Sequence, residues 1–92
     1  MEKLTVLSHA INPTSISLFL ENTGDTHVDL TTAQFNIANR KNAISGTSMV
    51  NLQPKATCVA EFNIPRELIN KQAVWKLAIQ TATRKHDFTV NQ

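Results

Sequence analysis

Ser15-Ile16-Ser17-Leu18-Phe19-Leu20-Glu21 decides the fold, together with the Asn22-Thr23-Gly24-Asp25 that follows it. Ile16, Leu18 and Leu20 alternate with Ser15, Ser17 and Phe19. That is the period of two by which successive strand residues face opposite sides. Asn22 to Asp25 then break the pattern with turn-forming residues, among them Gly24, which is able to take a positive φ. A strand with one apolar face must bury that face against a second layer.

The same reading extends both ways along the chain. Residues 3–7 alternate as an earlier strand, and 9–14 form a loop with Asn12-Pro13 as its turn signal. Residues 26–30 are extended with Val28 and Leu30 inward; 33–37 continue with Phe35 and Ile37 inward. The Thr31-Thr32 step between them carries a bulge or a switch of sheet. Asn39-Arg40-Lys41-Asn42 is a polar hairpin turn, 44–50 a weaker strand loosened by Gly46, and Asn51-Leu52-Gln53-Pro54-Lys55 the next turn. Residues 56–64 form a long strand, with Cys58, Ala60, Phe62 and Ile64 on one face and Thr57, Val59, Glu61 and Asn63 on the other.

Pro65 opens a single helical turn over 65–71. Residues 73–81 place Trp75, Leu77 and Ile79 inward, Ala82-Thr83-Arg84-Lys85 is a tight turn, and 86–90 close the domain with Phe88 and Val90 inward. The result is seven to eight short strands with turn signals roughly every 8–12 residues. That pattern predicts an all-β, immunoglobulin-like antiparallel sandwich, one domain over residues 1–92.

A chain of 92 residues buries only roughly 60–65% of its unfolded surface, enough for one thin core and not for a deep cleft beside it. A net charge of +2, with the basic residues spread along the chain, does not point to nucleic acid. The lone Cys58 excludes an internal disulfide. No apolar run reaches the roughly 18–20 residues that span a bilayer. Met1-Glu2-Lys3 leads straight into a strand pattern without a signal-peptide pattern. Two readings follow: a cytosolic protein, or the soluble part of a longer anchored chain.

Catalytic and cofactor patterns are absent from the sequence. With Gly24 and Gly46 as the only glycines there is no phosphate-cradling loop, no CxxC pair and no Gly-x-Ser-x-Gly. His27 and Asp29 share a strand face, and His86-Asp87 can approach from another strand, which is the one arrangement that invites a metal. Exposed polar residues on an outer sheet face explain the same spacing. Cys58 shares its face with Ala60 and Phe62, the place of a small core hydrophobe rather than a nucleophile. Trp75 beside Leu77 and Ile79 reads as a core anchor. Asn12-Pro13-Thr14 carries the proline that forbids N-glycosylation.

Binding surfaces remain. Phe19 shares its face with Ser15 and Ser17 and marks a candidate contact patch. Turns of an antiparallel sandwich alternate between its ends. The strand count therefore gathers Asn12, Arg40, Lys41, Arg66 and Lys71 at one pole, and Lys55, Arg84 and Lys85 at the other near Asp25. The candidate interaction surface is thus Phe19, Arg40, Lys41, Arg66 and Lys71.

The strand ending in Asn22-Thr23-Gly24-Asp25-Thr26, the Asn51-Leu52-Gln53-Pro54-Lys55 turn, the strand Val74-Trp75-Lys76-Leu77-Ala78-Ile79-Gln80-Thr81 and the final Phe88-Thr89-Val90 together resemble the archaellin-like sandwich. That fold is used by archaellins and by the membrane-anchored accessory proteins of the archaellum motor, of the FlaF and FlaG type. The turn before the last strand, which usually contains glycine in that family, is Ala82-Thr83-Arg84-Lys85 here. The resemblance implies a non-enzymatic, extracytoplasmic part associated with the cell envelope. It would be anchored by an N-terminal helix outside this sequence and would bind protein partners: itself, a related accessory protein or the surface layer. Neither a cofactor nor a catalytic residue is implied. Two alternatives keep the fold and change the role: a virion or phage decoration domain, and a carbohydrate-binding sandwich. The latter needs an exposed aromatic pair, and the chain has no tyrosine and one tryptophan.

Overall fold

The computed structural model describes residues 1–42 and 50–92. Apolar alternation builds its longest strands: β1 (Leu4–Ile11), β2 (Ser15–Asn22), β7 (Thr57–Asn63), β8 (Val74–Gln80) and β9 (Lys85–Asn91). Shorter strands fill the rest: β3 (Val28–Asp29), β4 (Gln34–Ile37), β5 (Arg40–Asn42) and β6 (Asn51–Leu52). A 3₁₀ turn over Arg66–Leu68 follows Pro65, as the proline predicts. The strands form three antiparallel sheets of order β1-β2-β7, β3-β6 and β5-β4-β8-β9.

The two larger sheets face each other across one apolar cluster, a sandwich-like arrangement. Ile16, Leu18, Leu20, Ala60 and Phe62 come from one side, and Phe35, Ile37, Trp75, Leu77 and Ile79 from the other. Phe35 and Phe62 meet across the layers with ring centroids 5.2 Å apart and planes at 41°. Each fully buried aliphatic side chain of β2 contributes about 1.5–3 kcal/mol. Trp75 is a core anchor, and its Nε1 donates to Gln92 Oε1 at 3.1 Å. The chain does switch sheets at Thr31-Thr32, since β3 pairs with β6 while β4 pairs with β5 and β8.

Several expectations are corrected. Nine strands appear among the described residues, not seven or eight. β1 runs on to Ile11 through a bulge between Val6 and Ser8, so the loop begins at Asn12 and not at His9. Pairing with β2 supplies what Ser8-His9-Ala10, which lacks apolar alternation, does not. Arg40–Asn42 is a strand rather than a turn, because Ala38 and Asn39, with φ of 51° and 62°, already make the reversal. Asn51–Leu52 pairs with β3, and the turn itself is Gln53–Ala56, closed by the Ala56 N–H on the Gln53 carbonyl at 3.0 Å. The strand expected over 44–50 lies, but for Val50, outside the described residues.

Gly24 is needed for a close approach and not for its freedom to take a positive φ. No glycine among the described residues has positive φ. A Cβ on Gly24 would instead stand 2.1 Å from the Met1 carbonyl oxygen and 2.8 Å from the Lys3 nitrogen. Close approach of the first residues to the turn excludes any side chain there.

Two positive φ angles in succession are the mark of the I′ hairpin turn, which favours Asn-Gly. Here the first position is Ala38, which pays the left-handed cost in full. Ala38→Asn should therefore raise stability by about 0.5–1 kcal/mol, since Asn tolerates this region. Urea titration would show it as a higher midpoint at unchanged slope; a lower midpoint would refute it.

Candidate interaction faces

Register fixes what each sheet shows to solvent. On β1-β2-β7, the inward positions Ile16, Leu18 and Leu20 leave Ser15, Ser17, Phe19 and Glu21 outward. Phe19 lies opposite Ser8 on β1 and opposite Val59 on β7. Phe19 and Val59 are 39% and 43% exposed, and Leu7, in the β1 bulge beside them, is 48% exposed. These three make an apolar row across the middle of the sheet. Glu21 lies on one side of it, opposite Thr5 and Thr57; Glu61 lies on the other, opposite Ser17. The row is more than the lone Phe19 the sequence marks.

The outer face of β5-β4-β8-β9 differs in shape and charge. One cross-strand row reads Lys41, Asn36, Ala78, Asp87. Ala78 points outward between longer neighbours, so that even on the outer face it is only 7% exposed. It floors a depression of about 250 Å³ walled by Asn36, Lys76, Lys85, Asp87 and Thr89. Lys85 Nζ stands 3.8 Å from Asp87 Oδ1. Lys41, Lys76 and Lys85 give the face a basic character that one aspartate does not cancel.

The poles follow the turn count. Glu2, two residues before β1, is bonded to Thr81 and His86, which places the ends of β8 and β9 that flank their connecting turn at the same pole as the first residues. The opposite pole carries Asn12, Arg40, Arg66 and Lys71, with Arg40 and Glu67 ion-paired there. The Glu67 carboxyl is lowered, first by its own backbone N–H and then by the Arg40 guanidinium. Phe19 does not join these residues. It sits mid-strand on the opposite sheet, and Lys41 turns onto the outer face beside Asn36.

The titratable residues pair locally. Asp29 accepts from the Thr31 backbone N–H at 2.9 Å and from the Thr31 hydroxyl. His86 is buried and not exposed as the outer-face reading has it; its Nε2 lies 2.6 Å from Glu2 Oε2, pointing away from Asp87 on the other face of β9. His27, Asp29, His86 and Asp87 do not converge, and no group of three such side chains able to hold a metal occurs among the described residues. Burial raises the Cys58 thiol, which weakens it as a nucleophile. No helix among the described residues is long and apolar enough to cross a membrane.

Nothing in the linear pattern singles out Glu2. Its carboxylate accepts from Thr81 Oγ1 at 2.6 Å, Thr83 Oγ1 at 2.8 Å and His86, and Thr81 Oγ1 also accepts from the Arg84 N–H at 3.2 Å. One carboxylate thus clamps the β8–β9 turn to the segment that leads into β1. Burial by itself would raise the Glu2 carboxyl. The bonds from Thr81, His86 and Thr83 and the charge of His86 outweigh that and hold it below the ordinary glutamate value.

A carboxyl depressed on folding stabilises the fold above its unfolded pKa, and that contribution is lost as pH falls through the folded value. Stability should therefore decline on acidification through and below the ordinary glutamate range. Glu2→Gln should remove about 1–2 kcal/mol at neutral pH and leave a flatter acid limb. Denaturant midpoints taken across pH for both proteins test this, and identical acid limbs would refute it.

Compared with protein-family models and with curated proteins, the chain matches neither a family nor a characterised relative.

Proposed function

We propose that this chain is a non-enzymatic interaction module that binds other proteins through the outer faces of its sheets, as a structural part of an extracytoplasmic filament or motor assembly. The apolar row of Leu7, Phe19 and Val59 carries the binding part of this reading. Three large apolar side chains together on one sheet face are costly to leave in water and mark contact surfaces. The resemblance to archaellum accessory domains supports the setting, with the cell envelope as the place of action and anchoring of the machinery as the task.

Photo-crosslinking tests the binding part. A benzoylphenylalanine at position 19, in cells of the source organism, should yield a covalent adduct with a protein. The same group at the exposed Gln53, at one pole, should not. No adduct at position 19, or equal yields at both, would overturn the reading. An adduct formed only in the cytosolic fraction would overturn the extracytoplasmic setting.

A further inference from the structure

The two outer faces lie on opposite sides of the same sandwich, and they complement each other. One carries Glu21 and Glu61 around the exposed apolar centre of Leu7, Phe19 and Val59, with no basic residue at an outward position of β1, β2 or β7. The other carries Lys41, Lys76 and Lys85 around a depression centred on Ala78. We infer that this chain binds further copies of itself by stacking the outer face of β1-β2-β7 on the outer face of β5-β4-β8-β9 of the next copy, with Phe19 entering the depression over Ala78.

Size and charge both favour this pairing. The depression measures about 250 Å³. By volume alone the open depression has room for a phenyl ring, since benzene occupies an enclosed cavity of about 150 Å³. Stacking a face on its own kind would set Glu21 and Glu61 against their copies, or lysines against lysines, and such like-charge contacts work against association. Unlike faces give attraction and a shape match together. The contact is heterologous: the surface used on one copy differs from that used on the next. Because the two faces are on opposite sides, each added copy leaves one face of each kind free at the ends. An open-ended row results, rather than a closed dimer.

The inference rests on the interaction-module reading and names its partner. Two variants test it by sedimentation velocity on the purified chain. Phe19→Lys puts a like charge against the basic face, and Ala78→Arg fills the depression. The wild type should grow into larger species as concentration rises. Each variant alone should be weakened at least about tenfold, the loss expected at a central interface residue. An equimolar mixture should form a discrete heterodimer, since one variant keeps an intact apolar face and the other an intact depression. Lys76→Glu, at an exposed position, replaces Ala78→Arg if the latter does not fold.

Four results would overturn the stacking. They are a wild type monomeric up to its solubility limit, a mixture that stays monomeric, Ala78→Arg alone associating as tightly as the wild type, and Phe19→Lys alone associating as tightly as the wild type. The last two would assign a symmetric contact through a single face. A monomeric wild type whose position-19 cross-link captures a different protein removes the self-stacking and keeps the interaction-module reading. A monomeric wild type with no adduct removes both.

Discussion

Phe62→Ala should cost about 3–5 kcal/mol, the range for truncating a fully buried aromatic. Phe62 is inaccessible to solvent, lies opposite Ile16 within its own sheet and meets the Phe35 ring of the other. Its removal takes away the transfer energy of a large side chain and opens a cavity between the layers. The Phe35 contact adds to the loss, since tilted aromatic pairs contribute about 0.5–1.5 kcal/mol beyond area. A small domain has total stability of about 5–15 kcal/mol, so the variant keeps a thin margin or none. For a chain this size the midpoint of thermal unfolding should fall by roughly 15–30 °C. Phe62→Leu, which keeps most of the volume, should recover most of that. A drop of only a few degrees for Phe62→Ala would mean that the layers are not held together at this point.

Asn22→Leu should cost about 2–4 kcal/mol although it replaces a polar side chain with an apolar one of similar size. Asn22 is fully buried at the end of β2. Its Nδ2 donates to the Thr26 carbonyl at 2.8 Å and the Leu52 carbonyl at 2.9 Å, and its Oδ1 accepts from the Gly24 N–H at 3.0 Å. One side chain thus ties the β2 strand, the turn after it and β6. Leucine would leave buried backbone groups unpaired, and each such group costs about 1–3 kcal/mol. Asn22→Asp separates polarity from geometry. It can still accept from Gly24, but it presents an oxygen to two carbonyl oxygens. Asn22→Asp should therefore be as harmful as Asn22→Leu at neutral pH and partly recover in acid, where the protonated carboxyl can donate. Chemical denaturation at two pH values measures both. A neutral effect of Asn22→Leu would show that water or a shifted backbone satisfies these carbonyls.

The two residues illustrate what a linear reading reaches. The inward position of Phe62 is legible, because a strand sends alternate side chains to opposite faces and the apolar ones mark the buried side. The same rule placed Trp75, Leu77 and Ile79, and left Phe19 and Val59 outward. The sheet-end positions of Arg40 and Arg66 followed from counting turns. Asn22 gave no such signal. Its sequence neighbours mark a turn, and asparagine in a turn is ordinarily wet. Only the approach of Leu52, 30 residues on, buries it and supplies its acceptor.

Alternation along the chain is enough to find the long strands, the inward faces of β2, β4, β7 and β8 and the approximate places of the reversals. These are local properties, written at a spacing of two residues. Tertiary structure alone decided the rest. It made strands of Arg40–Asn42 and Asn51–Leu52, whose polarity gives no pattern, by offering them a hydrogen-bonded neighbour. It buried His86 against Glu2 from the far end of the chain, and it required Gly24 through the backbone of Met1 rather than through a left-handed turn. It set Leu7 beside Phe19 and Val59, and it hollowed the opposite face at Ala78. Each of these depends on which segments lie side by side, and hydrogen bonds, close contacts and surface shape between distant segments leave no period in the sequence.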